Sequence, residues 1–306
     1  MTARITSGQR DRIAELARAR TGKVVDAMTL DIDQAQLVIT NGDEFGQIVG
    51  DAVRSALARL SVSQEYANEE VASTWVYPPE YTGPAPIGEQ IDKLAALFGL
   101  SLGETMRFVE QVLPTLTLPD GAEGWFAIPR VEAIAARHFK SVTNPHERYC
   151  RAVLLMLEKL KESRQFYNYR EGEITVDCLR QHARTAMMLE LIGETQKGDL
   201  LVIPSQFGLR HAGRSVRRGR AVYAKTEFGH GALSVGSMLL THPKRFVRWE
   251  QLHTDCAGDE FAPGADGRFV RAPYFRCHDS LLWFDTHDAA YPRDYYGSAS
   301  GFSPQP

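Results

Sequence analysis

The spacing of apolar residues along the chain predicts helices, most of them in its first two thirds. From Phe45 to Leu60, apolar residues recur three and four positions apart, which predicts an amphipathic helix with one buried face. Similar stripes and turn signals predict further helices at 7–20, 87–98, 101–113, 130–139, 145–163, 175–193 and 231–241.

Short apolar runs bounded by turn residues predict strands, mainly in the last third. Such runs are QLVIT (36–40), LLVIP (200–204), AVYAK (221–225) and, from residue 246 onward, FVRW, RFVRAPYFR and LLWFD. LLVIP is continuously apolar, as in a fully buried strand. Because helices come first and strands later, we predict an α+β fold with mostly antiparallel short strands.

Length and composition suggest how the chain is divided. A chain of 306 residues with 43% hydrophobic and 24% charged residues is typical of a folded protein and suits two domains. The proline-rich stretch VYPPEYTGPAPIG cannot be a helix, and its two tyrosines favour packing against the rest of the protein. We predict a mainly helical N-terminal part at 1–75, a linker or arm at 76–86, a helical pair at 87–118 and an α+β domain at 119–306.

Charge and cysteine content argue against several classes of protein. The net charge is −3, so the chain as a whole is not basic in the way that many nucleic-acid-binding proteins are. The four cysteines form no C-x-x-C pair, which argues against a cysteine-based zinc site. Neither a signal peptide nor a long apolar span is evident, so we expect a soluble, cytoplasmic protein without a membrane partner.

One local segment departs from this acidic background. GLRHAGRSVRRGRAVYAK, at 208–225, contains six cations and no acid. Its glycines predict a loop or hairpin, and arginine side chains beside free backbone amides bind phosphate well. The predicted phosphate or nucleic-acid contacts are Arg210, Arg214, Arg217, Arg218 and Arg220. The alternative is that these arginines form ion pairs with acids of the same chain, such as those at 255–260.

A second segment has some of the spacing of a DNA-binding helix-turn-helix. In LAALFGLSLGETMRFVEQ (94–111), Gly99 would occupy the turn. The second helix, however, carries Glu104 and Glu110 against the single Arg107, whereas a surface that meets phosphates should be basic. Two packed helices are therefore the preferred interpretation.

The segment HTDCAGDEFAPGAD, at 253–266, contains residue types that catalyse reactions or bind metals. The candidate catalytic residues are His253, Asp255, Cys256 and Asp259, and the candidate metal ligands are His253, Asp255, Asp259 and Glu260. Their spacing matches neither an EF-hand nor a zincin motif. Because neighbouring carboxylates should raise the pKa of the Cys256 thiol, we expect that cysteine to be structural. Cys277, His278 and Asp279 are predicted to form a turn between strands, and His287 and Asp288 are further scattered ligand types.

Several segments carry a resemblance to a known family. They are AEGWFAIP, FYNYREGEI, GDLLVIPSQFGLRHAGRSVRRGRAVY, MLLTHPKRF, DCAGDEFAPGADG and, near the end, YGSASGF. Over roughly 80–306 the chain resembles uncharacterised hypothetical proteins found mainly in candidate-phylum bacteria. The resemblance implies no activity, cofactor or catalytic residue. It implies only that residues 120–306 form one unit containing both the basic and the acidic segments.

Three hypotheses of function follow from these patterns. The first is a protein that binds phosphate or nucleic acid through 208–225. The second is a hydrolase-like enzyme with a site near 253–260, acting with or without a bound metal. The third is a self-assembling scaffold in which the arginines of one copy meet the acids of another. The sequence identifies neither a cofactor nor an oligomeric state.

Overall fold

The computed structural model describes residues 6–60, 63–264 and 267–304, and the chain divides into two compact units. The first unit is Met1–Gln64 and the second is Glu65–Pro306. The division thus falls before the predicted boundary at residue 75. No helix within the described ranges is both long and apolar enough to cross a membrane.

The first unit is helical. Its elements are α1 (Ser7–Asp26), α2 (Ile32–Thr40) and α3 (Gly42–Leu60). The prediction of a strand at 36–40 was wrong, because these residues belong to α2. Asp31 accepts a hydrogen bond from the backbone amide of Gln34, and the Gln34 side chain accepts one from the Asp31 amide. This capping box starts a helix that overrides the strand preference of the β-branched residues.

The second unit alternates helices and strands. Its helices are α4 (Ile87–Phe98), α5 (Gly103–Gln111), α6 (Val131–His138), α7 (Pro145–Ser163), α8 (Ala183–Thr195), α9 (Val216–Val222) and α10 (Ala232–Thr241). Its strands are β1 (Gly124–Pro129), β2 (Phe166–Asn168), β3 (Leu179–Gln181), β4 (Leu200–Gln206), β5 (Glu227–Gly229), β6 (His253–Asp255), β7 (Asp259–Phe261), β8 (Arg271–His278), β9 (Leu281–Asp288), β10 (Tyr296–Ser298) and β11 (Ser300–Phe302).

The strands form two sheets, and the predicted α+β class is confirmed. The smaller sheet has the order β1-β4-β11-β5 and is antiparallel throughout. The larger sheet has the order β10-β6-β8-β7-β3, with β9 paired to β8 and β2 paired to β9. Only β10–β6 and β2–β9 are parallel among the strand pairs of the described residues.

Three local predictions in this unit were wrong. The run 221–225 is not a strand, because α9 extends to Val222 from a cap at Ser215, whose hydroxyl accepts from the Arg218 amide. The run 246–249 lies outside the strands. The helix predicted at 175–193 begins only at Ala183, since β3 precedes it.

The main core lies beneath the smaller sheet and one face of the larger one. Helices α7 and α10 pack against each other, and α10 and α4 pack on β1. Successive side chains of a strand point to opposite faces. Phe275 and Cys277 of β8 and Leu282 and Phe284 of β9 therefore face this core, where all four are buried. The intervening residues of β8 and β9 lie on the opposite face, which we call the outer face. Part of that face is covered as well, because Ala272 belongs to a second buried cluster with Val216 and Tyr223.

The proline-rich segment packs as the extended arm that the sequence predicted. The hydroxyls of Tyr77 and Tyr81 both donate hydrogen bonds to Glu123, and both rings contact the core. Burial raises the pKa of the Glu123 carboxyl, although these hydrogen bonds and the Phe207 amide oppose the rise. The Ala85 amide completes the contacts of the arm by donating to His242 Nε2.

Candidate functional site

The arginine-rich segment is neither an open loop nor a hairpin. Leu209–His211 forms a short 3-10 helix and Val216–Val222 forms α9. The segment Glu65–Trp75 runs beside it: the Val71 amide donates to Gly213, and the Ser215 amide donates to Glu69. Gly213 has a φ of +78°, and a β-carbon there would overlap the Val71 carbonyl. A larger residue at this position would therefore disturb the contact between the two segments.

Arg214, Arg217 and Arg218 form ion pairs with the acids of this neighbouring segment. Arg217 Nε lies 2.8 Å from both carboxylate oxygens of Glu69, and Arg218 pairs with Glu70. Arg214 Nε lies 3.5 Å from Glu70. The hydrogen bond from Arg217 lowers the pKa of the Glu69 carboxyl, against the opposing effect of burial. These ion pairs thus hold together two segments that lie far apart in the sequence.

Arg210 faces a buried carboxylate. Its Nε lies 3.1 Å from Glu227, which also receives hydrogen bonds from His211 at 2.7 Å and from the Ser300 hydroxyl at 2.7 Å. Burial alone would raise the pKa of Glu227, but the hydrogen bonds and charges around it lower the pKa to about 2. Glu227 is fully buried, so this cluster lies inside the fold.

Arg220 connects the basic segment to the acidic one. It donates to the carbonyl oxygens of Ala257 at 2.9 Å and Asp259 at 2.6 Å, and its Nη1 lies 3.7 Å from Glu260. The expectation that at least one arginine of the run pairs with Asp255, Asp259 or Glu260 is confirmed by this contact. The other four arginines have acid partners that lie elsewhere in the chain.

The residues of the acidic segment have separate environments. Asp255 Oδ1 lies 2.9 Å from His287 Nε2, and Glu260 pairs with Arg180 at 2.8 Å. Asp259 accepts hydrogen bonds from the Tyr149 hydroxyl at 2.6 Å and the Ala232 amide at 2.7 Å. Within the part of the chain that the structure describes, no three histidine, cysteine, aspartate or glutamate residues form a metal-binding group.

Cys256 lies in the core and is fully buried. Burial raises the pKa of its thiol well above the ordinary value, with smaller contributions from Asp259 and Asp255. The expected direction is therefore correct, and burial is the larger cause. A thiol without solvent contact and with a raised pKa is a poor nucleophile.

A cavity of about 520 Å³ lies near Asp259. Its wall includes Tyr149 and Ser234 together with the apolar residues Ile128 and Leu233. Tyr149 lines the cavity and donates to the Asp259 carboxylate, whereas Asp259 itself is not among the lining residues. The candidate catalytic residues His253, Asp255 and Cys256 do not line this cavity.

The outer face of the larger sheet carries a different arrangement, which we call the aromatic stripe. Seven partly exposed rings form an unbroken series: Trp75, Tyr295, Trp249, His278, Trp283, Tyr169 and Tyr167. Consecutive ring centroids are between 4.5 and 5.7 Å apart. Tyr167 and Tyr169 are 52% and 42% exposed, so that end of the stripe is open to solvent.

The pairing of strands brings the centre of the stripe together. Trp283 of β9 lies opposite both Tyr167 of β2 and Arg276 of β8. Because side chains alternate along β8, Tyr274, Arg276 and His278 share the outer face. The stripe therefore rests on the hydrogen-bonded frame of three adjacent strands.

Arg276 lies over this ring system. Its guanidinium carbon is 4.2 Å from the centroid of the Trp283 ring and 5.7 Å from that of Trp249. Among the described residues, no ion pair or hydrogen bond involves the Arg276 side chain, and its buried Nε has no hydrogen-bond partner. The buried indole nitrogen of Trp283 also has none within the same ranges.

The acids around the stripe have partners of their own. Asp285 pairs with Arg170 at 2.7 Å, Asp294 accepts from the Trp75 indole at 3.3 Å, and Asp279 lies 3.0 Å from His278 Nδ1. The centroid of the His253 ring lies 4.7 Å from that of Trp249. Burial lowers the pKa of His253 to about 3, helped by the charges of Arg245 and Arg276. His253 is therefore neutral at physiological pH.

Sequence reasoning did not find the stripe. The signal was the alternation of large polar and aromatic residues with core residues in RAPYFRCH and LLWFDTHD, together with the tyrosines of FYNY. Without the pairing of β2 with β9 and of β9 with β8, these segments could not be placed side by side.

Comparisons with protein-family models, with curated proteins and with solved structures found no match to this chain. The resemblance to candidate-phylum proteins therefore stays a prediction. Any function must be argued from the residues of the site.

Proposed function

We propose that this protein binds single-stranded nucleic acid along the aromatic stripe, with bases stacking on the exposed rings and Arg276 contacting phosphate. The observation that carries the proposal is a continuous series of seven partly exposed rings beside an arginine that has no acid partner among the described residues.

The chemistry of the stripe suits an unpaired strand. Every base has a face that stacks on an aromatic side chain, and each such stack contributes about 1–3 kcal/mol. Unpaired bases are free to stack in this way, whereas the bases of a duplex are already stacked on each other. The free donors of Arg276 match the acceptor oxygens of a phosphate. An extended row of rings therefore fits a strand better than it fits a compact ligand.

The binding surface proposed here differs from the one predicted at 208–225. The five arginines of that run have partners inside the fold, and an incoming phosphate would have to replace Glu69, Glu70 or Glu227. Nucleic-acid contact through the run stays a prediction, as do the enzyme near 253–260 and the scaffold hypothesis. The two candidate surfaces can be distinguished, because different substitutions should weaken binding in each case.

A fluorescence anisotropy titration with short single-stranded DNA and RNA tests the proposal. Tyr167→Ala, at the ring of the stripe that is 52% exposed, should weaken binding by about 1–3 kcal/mol, or roughly 5- to 150-fold, because one stacked base is lost. Arg276→Gln should also reduce the slope of log K against log salt by about 0.7 for one phosphate contact on a single strand. Double-stranded probes of the same length should bind more weakly.

Two control variants separate the stripe from general effects. Tyr291→Ala removes a ring that is 65% exposed and lies outside the stripe, and Arg107→Gln removes a surface cation that pairs only with Glu104 among the described residues. Both should bind like the wild type. If Tyr167→Ala and Arg276→Gln also bind like the wild type, or if the wild type binds no single strand at low salt, the proposal is wrong. Loss of binding in Arg217→Ala together with Arg218→Ala, at unchanged stability, would favour the arginine run instead.

A further inference from the structure

The first unit exposes an unusual amount of apolar surface. None of the described residues of α1 and α2 is buried. Across the three helices, six large apolar side chains are between 54% and 88% exposed: Leu16, Val24, Ile32, Leu37, Ile39 and Ile48. Large exposed apolar patches usually mark a site of interaction with another protein or with a membrane.

The apolar residues of α3 follow one face of the helix. Phe45, Ile48, Val49, Ala52 and Val53 recur at three- and four-residue spacing, although Phe45 and Ile48 remain exposed. This is the pattern of a helix that packs against another helix. A face built in this way needs a partner to bury it.

The charges of the unit are complementary between its helices. Helix α1 carries five cations and three acids, whereas α2 with its cap residue Asp31 and α3 together carry five acids and two cations. The basic helix of one copy therefore suits the acidic helices of another. Electrostatic complementarity of this kind sets the register of an interface.

The available area is sufficient for a stable interface. At 1.5 Å per residue the three helices have a combined length of about 70 Å, and a face roughly 10 Å wide offers about 700 Å² per copy. A standard protein interface buries roughly 600–1,000 Å² per partner, so this estimate lies within the usual range.

We propose that the helical unit at residues 7–57 is a self-association surface whose partner is a second copy of this chain, with α1 of one copy against α2 and α3 of the other. This surface is distinct from the arginine run and the acids at 255–260 on which the scaffold hypothesis of the sequence rests. It is also independent of the nucleic-acid proposal.

Sedimentation velocity of the full chain between about 1 and 100 µM tests this inference. The wild type should form a dimer or larger assembly that dissociates on dilution. Leu37→Lys with Ile48→Lys places two charges on the apolar face and should raise the dissociation constant at least tenfold. Arg18→Glu with Arg20→Glu reverses the charge of α1 and should weaken association in the same direction.

The matched control is Met187→Lys with Leu191→Lys, which changes two comparably exposed apolar residues of α8 in the second unit. This variant should associate like the wild type, and circular dichroism should show unchanged helix content in all variants. A monomer throughout the concentration range would overturn the proposal, as would an assembly that neither helical variant weakens. Binding of a monomeric chain to lipid vesicles would also overturn it, by making a membrane surface the partner of this face.

Discussion

Replacing Asp259 by asparagine should change how the stability of the second unit depends on pH. The Asp259 carboxyl is fully buried and accepts hydrogen bonds from the Tyr149 hydroxyl and the Ala232 amide. Burial raises its pKa from 3.8 to about 7, even though these two hydrogen bonds oppose the rise. The folded protein therefore holds a proton at this position over a pH range in which the unfolded chain has lost it.

The sign of the effect follows from proton linkage. Because the folded pKa lies above the unfolded one, the folded state binds more protons between about pH 4 and pH 7, and its stability falls as the pH rises through that window. At 1.36 kcal/mol per pKa unit, the full rise corresponds to about 4 kcal/mol. Above about pH 8 the protein carries the whole cost of a buried carboxylate.

The assay compares urea unfolding of the wild type and of Asp259→Asn, followed by tryptophan fluorescence. All four tryptophans lie in the second unit, so the signal reports on that unit. Asparagine keeps an oxygen that accepts both hydrogen bonds and stays neutral at every pH. The free energy of unfolding of the variant, minus that of the wild type, should increase by about 2–3 kcal/mol between pH 5 and pH 8, because part of the full effect has already developed below pH 5.

Subtracting the free energy of unfolding of the wild type from that of the variant cancels the contributions that other titrating groups make to both. Burial lowers the pKa values of His230 and His253 to about 3, so these histidines destabilise the fold as the pH falls below about 6.5, in both proteins alike. Asp177→Asn changes an exposed aspartate and should give a flat difference. If the difference for Asp259→Asn is also flat across the range, the reasoning from burial is refuted.

The remaining predictions concern the arginine run and the cysteines. Arg217→Ala leaves the buried Glu69 carboxylate without its main partner and should destabilise the fold by about 1–3 kcal/mol, whereas Arg107→Ala at an exposed pair should cost less than about 1 kcal/mol; equal melting temperatures for the two variants would contradict this. In the native protein at neutral pH, a thiol reagent should modify the half-buried Cys178 first and leave the buried Cys256 unmodified. Fast labelling of Cys256, mapped by mass spectrometry, would contradict its structural role.

Much of the fold could be predicted because the relevant signals are local. The apolar spacing from Phe45 to Leu60 and the composition of the proline-rich arm are each contained in a few residues, and the helix and the packed arm both agree with the structure. The buried face predicted for that helix was wrong, because Phe45 and Ile48 are exposed. The run 36–40 was misread because the signal that decides it, the capping box at Asp31 and Gln34, lies before the apolar residues. The preference of β-branched residues for strands is weak, and a capping box directly before them is enough to favour a helix.

The partners of the charged residues could not be predicted from local pattern. A dense run of arginines looks free when read alone, but its acids come from Glu69, Glu70 and Glu227. The same limit applies to the aromatic stripe, whose rings come from β2, β8, β9 and the segments around Trp75, Trp249 and Tyr295. The sequence supplies the residue types in both cases, whereas the tertiary fold decides which of them meet.

The arginine run and the aromatic stripe are nevertheless connected through one segment of chain. Glu69 and Glu70, which pair with the arginines, lie five to six residues before Trp75, the first ring of the stripe. Trp75 itself is held by its hydrogen bond to Asp294 and its contact with Tyr295. The ion pairs of these arginines therefore fix the path of the segment that places Trp75 beside the sheet. A strongly basic run in an acidic protein is explained by this internal role, because two adjacent carboxylates at a partly buried contact require cations beside them. The cation that we propose for contact with an external phosphate is instead Arg276, which has no acid partner among the described residues and which the charge pattern of the sequence did not single out.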